Sequence, residues 1–172
     1  MITKHLIPIL VIFCFITMSA FANDQSKTQD LEQEIIKYNK LVLQDSKNAK
    51  YINALGFTYY KLNQIPDAIN SFKKAIALDP DYAIAYNNMG AAYLSMKECV
   101  KAEDAFKTAL RLDTNYVKAA YNLSVALFRQ KKYHEALIAY KKAERIDAAY
   151  VEMRFSASKA MEKIKGKEVE GR

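Results

Sequence analysis

The sequence predicts an all-α fold, a solenoid of stacked antiparallel helix pairs. Three observations carry that expectation. Asp45, Asp79, Asp113 and Asp147 are each 34 residues from the next, and Phe72/Phe106/Tyr140, Ala68/Ala102/Ala136, Ala75/Ala109/Ala143 and Tyr82/Tyr116/Tyr150 recur at the same interval. A fixed period of this length marks repeated two-helix units, each burying its apolar face only on its neighbours. Finally, no β-branched run alternates with period two, and beyond residue 22 the only prolines are Pro66 and Pro80. The chain therefore reads as helix throughout its repeat region.

Residues 1–22 stand apart. Lys4 is their only charge, Leu6 to Met18 form a short apolar run, and Ala20-Phe21-Ala22 places small residues where a signal peptidase reads. The run falls below the roughly 20 residues that a membrane-spanning helix needs. The segment is expected to be a cleaved secretory signal, with a retained anchor as the lesser reading. Cys14 lies inside the apolar run, not after small residues at its end, which argues against lipid attachment. Localisation is thus expected to be periplasmic or secreted. Loss of Lys4 takes the formal charge from +7 to +6 and leaves Cys99 as the one thiol, so no internal disulfide forms. Cys99 reads first as a helix-packing residue and second as a source of intermolecular disulfides.

Residues 23–48 form a polar linker, frayed over 23–29, and a capping helix. Asp30 to Leu43 keeps Tyr38 in the aromatic column, but Glu34 and Leu41 break the alanine columns. Three full units follow at 49–82, 83–116 and 117–150. Their first helices carry Ile52-x-x-Leu55-Gly56-x-x-Tyr59, Tyr86-x-x-Met89-Gly90-x-x-Tyr93 and Ala120-x-x-Leu123-Ser124-x-x-Leu127. Their second helices carry Ala68-x-x-x-Phe72-x-x-Ala75 and its two counterparts. A glycine inside a helix costs about 1 kcal/mol against alanine, so Gly56 and Gly90 must allow a close approach, with Ala68 and Ala102 as the expected small partners. Phe72, Phe106 and Tyr140 fill the gap to the next unit. Asp79-Pro80-Asp81 and Asp113-Thr114-Asn115 are turn formers where the chain reverses. Unit three has Ser124 for glycine, Leu127 for tyrosine and Ala148 for Pro80, and is expected to be the least regular.

Residues 151–172 are read as a C-terminal capping helix with a frayed tail over 166–172. Met153, Ala157, Ala160, Met161 and Ile164 form its packing side, and Arg154, Lys159, Glu162 and Lys163 the polar outer face that a terminal repeat needs for solubility.

These spacings resemble the tetratricopeptide repeat across residues 49–150, three units in tandem without insertion. The resemblance implies a right-handed α-solenoid, three repeats plus capping helices, whose first helices line a concave groove that binds a peptide. By helical phase the groove set is Lys50, Asn53, Phe57 and Lys61 from unit one, Asn87, Asn88, Ala91 and Ser95 from unit two, and Lys118, Tyr121, Asn122, Val125 and Arg129 from unit three. Asn88 and Asn122 should project alike, and a carboxamide can pair with a peptide backbone in either direction. Asn, Lys and aromatic surface suit a peptide with some negative charge. The competing reading makes the asparagines idle residues of a solvated face. The carboxylate-clamp branch of the family needs two lysines, two asparagines and an arginine. Asn88 and Lys118 match it, while Asn53, Phe57 and Asn122 stand where lysine, asparagine and arginine are required, so a clamp is not expected.

Other function classes fare worse. His134 is the one histidine after residue 22 and has no evident base, nucleophile or metal partner beside it. Neither catalysis, a metal nor a cofactor is expected. Lysines of the second helices, such as Lys73/Lys74 and Lys141/Lys142, interleave with Glu98, Glu103, Asp104, Glu135 and Glu144 without a phosphate loop, so no nucleic acid is expected. The reading is an exported adaptor for a protein or peptide partner, supporting assembly of an envelope or secreted complex. The alternative is a scaffold whose basic convex face or ends serve self-association or weak contact with an anionic envelope surface, within a field reaching ~10 Å.

Overall fold

The computed structural model describes residues 25–154. The expected signal segment, the expected frayed tail and the part of the expected C-terminal capping helix beyond Arg154 lie outside the described residues. Eight helices and no strand are found among them: α1 (25–44), α2 (Ala49–Lys61), α3 (Ile65–Leu78), α4 (Ala83–Ser95), α5 (Cys99–Leu112), α6 (Val117–Arg129), α7 (Tyr133–Ile146) and α8 (148–154). From α2 to α7 each helix packs on the next, and the first helices of successive units also meet, α2 with α4 and α4 with α6. This is the stacking that the 34-residue period demands. Residues 25–29, inside the segment expected to fray, are already helical as part of α1.

The aspartate column closes the turns between units. Asp79 and Asp113 end α3 and α5 in extended backbone, and each donates its N–H to the carbonyl four residues back, Ala75 and Ala109. Their Oδ1 atoms then accept the N–H two residues on, from Asp81 at 3.2 Å and Asn115 at 3.0 Å. Asp45 does the same for Lys47 at 3.3 Å. Such Asx turns substitute a carboxylate for the next carbonyl and reverse the chain locally. Asp147 departs: α8 starts at once at residue 148, and Oδ1 accepts from Tyr150 N–H, three residues on, at 2.9 Å.

Within each unit the turn is a Schellman cap. Asn63, Lys97 and Lys131, again 34 apart, hold φ of 60°, 62° and 63°. The N–H of the residue after each reaches back to the carbonyl of Tyr59, Tyr93 or Leu127, at 2.9–3.0 Å. Two lysines thus occupy a left-handed conformation that glycine adopts at least cost.

The core follows the alanine and aromatic columns. Ala68, Phe72, Ala75, Ala102, Phe106, Ala109 and Ala143 have no solvent exposure. Burying each phenylalanine contributes roughly 1.5–3 kcal/mol. The glycines face these rings rather than the alanines expected as partners: a Cβ on Gly56 would lie 2.9 Å from Phe72 Cδ1 and from Ser71 Cβ. Unit three is as regular inside as the others, with helices of 13 and 14 residues like theirs. Ser124 fits the glycine position because its Oγ donates to Tyr121 O at 2.7 Å and needs no other partner.

Candidate functional site

Helices α2, α4 and α6 line one side of the stack and enclose a groove of about 1120 Å3. Its centre is a chain of carboxamides. Asn88 Nδ2 donates to Asn53 Oδ1 at 3.0 Å, and Asn122 Nδ2 donates to Asn87 Oδ1 at 3.1 Å. Each bond spans 35 residues, so the repeat reproduces it one unit along. A longer contact of 3.4 Å from Asn87 Nδ2 to Asn88 Oδ1 joins the two. Asn53 and Asn87 are buried, whereas Asn88 and Asn122 are half-buried at the surface. Buried amides need partners, and here they find each other across neighbouring units. A carboxamide has two donors and two lone pairs, so the surface pair retains capacity toward a ligand.

The ends of the groove differ in chemistry. At the α2 end Phe57 is 44% exposed and stacks on Tyr60 at 6.3 Å, with Ile84 nearby in the lining. At the other end Tyr121 meets Tyr150 edge-on at 6.1 Å, and the Arg154 guanidinium lies 5.6 Å above the Tyr121 ring. That geometry is a cation–π contact. Arg129 Nη1 donates to Leu94 O at 3.1 Å, at the C-terminal end of α4 where a cation suits the helix dipole. Burial first, then the neighbouring Tyr150, Tyr82 and Asp113, pushes the Tyr116 hydroxyl up to about 12, so this lining residue stays protonated. Lys118, Arg129 and Arg154 line the groove, and no aspartate or glutamate does.

Of the residues selected by helical phase, Asn53, Phe57, Asn87, Asn88, Ala91, Ser95, Lys118, Tyr121, Asn122, Val125 and Arg129 lie in the lining. Lys50 and Lys61 are not in that lining, although Lys61 Nζ stands 5.7 Å from the centroid of the lining ring of Phe57. Lys50 is exposed in the first turn of α2, its N–H held by the Asn48 side chain at 3.2 Å. Lys61 is drawn to α1, where its Nζ is 2.6 Å from Glu34 Oε2 and holds that carboxyl below the usual range. Sequence reasoning missed Ala54, Tyr60, Ile84, Leu94, Tyr116, Tyr150, Met153 and Arg154. The tyrosine column already pointed to Tyr116 and Tyr150. Met153 and Arg154 were assigned to a packing side and an outer face, but both line the groove, and Val151, 2% exposed, is the residue of α8 that packs.

Among the described residues no group of three or more His, Cys, Asp and Glu could hold a metal ion, and no helix is long and apolar enough to cross a membrane. His134 is exposed on α7.

Family models described as "TPR repeat" and "Tetratricopeptide repeat" match residues 58–97 and 81–149. The crystal structure of MamA is similar at 31% identity and a TM-score of 0.65, over 73% of this chain and 73% of that one. The chain belongs to the tetratricopeptide-repeat family. A second tetratricopeptide-repeat structure, the first such domain of Spaghetti (RPAP3) bound to the HSP90 peptide SRMEEVD, is 26% identical with a TM-score of 0.61, over 73% of this chain and 96% of that one. The second domain of the same protein, bound to the same peptide, is 25% identical with a TM-score of 0.58 over 60% and 96% of the two chains. No curated protein sequence matches the chain. The tetratricopeptide-repeat fold is one that serves protein–protein interaction.

Proposed function

We propose that the groove binds an extended, acidic segment of a protein partner, and that the chain acts as an adaptor without enzymatic activity. One observation carries this reading: a groove of about 1120 Å3 without an acidic lining residue, edged by Lys118, Arg129 and Arg154 and centred on paired carboxamides. Main-chain amides of an extended peptide match the remaining donors and acceptors of Asn88 and Asn122. Acidic side chains match the cationic end. An apolar side chain matches Phe57, a rigid aromatic already half in solvent. The acidic peptide seen on the RPAP3 domains supports the same ligand class here. The clamp positions differ, since Asn53 is buried in the amide chain where a clamp has lysine.

The adaptor is exported, on this reading, and supports assembly of an envelope or secreted complex. The apolar run before Ala20-Phe21-Ala22 motivates the export step. N-terminal sequencing of the protein recovered from cells tests it, with Asn23 as the expected first residue. An intact N-terminus would remove it.

Photo-crosslinking in living cells tests the groove. Val125 is the site for the crosslinker, because its column carries the larger Phe57 in unit one and tolerates a ring. Lys74, exposed on α3, is the control. A discrete adduct from position 125 alone supports the groove and delivers the partner. Adducts from position 74 alone would instead favour the scaffold that uses its basic outer face.

A further inference from the structure

A second cavity, of about 490 Å3, opens on the other side of the stack between α5 and α7. It faces the side of α6 opposite the groove. Leu110, Leu123, Leu127 and Ala139 form its apolar floor, and Lys107, Lys132, Lys142 and Arg145 supply four cations to its walls, against Glu103 and Glu135.

The repeat explains why the cavity is here. Position 127 belongs to the column Tyr59/Tyr93/Leu127, so unit three has an aliphatic side chain where the others have a ring. The missing ring leaves space. Three further columns break at the same place: Ile69/Glu103/Leu137 gains a carboxylate, Leu62/Met96/Gln130 an amide, and Gln64/Glu98/Lys132 a cation. These substitutions meet. Glu103, 5% exposed, accepts from Lys107 Nζ at 2.6 Å, Lys132 Nζ at 2.8 Å and Gln130 Nε2 at 2.8 Å. Burial alone would raise its pKa, but those three donors outweigh it and hold the carboxyl at about 2. Glu103 thereby fixes two ammonium groups at the cavity wall, and each keeps donors that the carboxylate does not use. The walls carry more positive than negative charge, and the floor is apolar.

We propose that this cavity binds a small amphipathic carboxylate of the medium-chain fatty-acid class. Its head group sits among Lys107, Lys132, Lys142 and Arg145, and its aliphatic body lies on Leu110, Leu123 and Leu127. The volume falls within the roughly 300–1,000 Å3 of small-molecule sites. It is less than half that of the groove, which suits a single aliphatic chain and not a peptide segment.

Decanoate, titrated calorimetrically into the full chain below its micellar concentration, tests the proposal. Saturable binding at one site per chain is expected. Leu127→Tyr restores the ring found in units one and two, so it preserves the fold while filling the cavity, and it should weaken binding at least about tenfold. Lys142→Glu, which reverses one wall charge, should weaken it comparably, and neutral methyl decanoate should bind about tenfold less well than decanoate. Phe57→Ala, in the groove, should leave decanoate binding unchanged. The proposal is overturned by absence of saturable heat with the parent, by parental affinity in both Leu127→Tyr and Lys142→Glu, or by loss of binding in Phe57→Ala.

Discussion

The ring of Phe106 occupies the space into which a side chain on Gly90 would grow. A Cβ at position 90 would stand 2.6 Å from Phe106 Cε1 and 2.8 Å from Cδ1, well inside van der Waals contact. The helix accepts the cost of a glycine so that α4 and α5 can close on the phenylalanine that anchors the unit.

Gly90→Leu should therefore destabilise the chain by about 1–3 kcal/mol through overpacking. A thermal scan followed by circular dichroism reads this as a fall in Tm of several degrees. Phe106→Leu in the same chain should recover part of the loss, because it removes the atoms that the new side chain meets. Coincident melts for Gly90→Leu and the parent would contradict the packing described.

The left-handed lysines yield a stabilising change. Lys97→Gly and Lys131→Gly should each add about 0.5–1 kcal/mol, since glycine holds φ near 60° without the Cβ clash and the exposed lysine side chains are not part of the core. Greater backbone entropy in the unfolded glycine chain limits the gain. Urea titration should show a higher midpoint at unchanged slope; a lower midpoint for both variants would mean that the caps are not left-handed.

Glu103 imposes a pH dependence. Its carboxyl sits at about 2 in the folded chain against an ordinary 4.5, so the folded state binds fewer protons than the unfolded state between those values. Its contribution is complete above about 4.5 and is lost as pH falls through about 2. Glu103→Gln keeps the shape, loses the charge, and should cost about 1–3 kcal/mol at neutral pH. The stability difference between parent and variant, measured by denaturant titration, should shrink steadily from pH 5 toward pH 2. A constant difference would remove Glu103 from the acid response.

Asn88→Ala should weaken peptide binding by about 0.5–1.5 kcal/mol, the net value of one hydrogen bond. It also strips the donor from buried Asn53 Oδ1, so the comparison belongs well below the melting temperature, by calorimetry with the segment captured at position 125. Asn122→Ala should behave alike, being the same position one unit on. Unchanged affinity in both variants would take the amide chain out of the site.

The period alone placed the helices, because a turn residue repeated four times at one spacing fixes both ends of every unit between. The groove came from the family resemblance, and helical phase only selected which residues of α2, α4 and α6 should face it. Three things were hidden, each for a physical reason. Lys61 shares a column with Ser95 and Arg129, but its ammonium is held between an acid on α1, outside the repeat, and the ring of Phe57. Arg154 reads as a solubilising charge until α8, which starts directly at Ala148, carries it over Tyr121. Glu103, Gln130 and Lys132 each look like a lone break in a column, and only the packing of α5 against α6 and the turn that follows it brings them together.

The 35-residue amide bonds carry a further meaning. Asn88 to Asn53 and Asn122 to Asn87 are one joint used twice, and the Schellman and aspartate turns beside them are likewise copies. An added copy of residues 83–116 between Tyr116 and Val117 would bring its own amide joint and its own two turns, but the first Glu103 would then face Met96 and Glu98 of the copy in place of Gln130 and Lys132. Groove length in this chain is thus a countable property. It can grow by whole rungs through gene duplication with the amide joint repeated unchanged, provided that the buried carboxylate of the duplicated unit is given new partners.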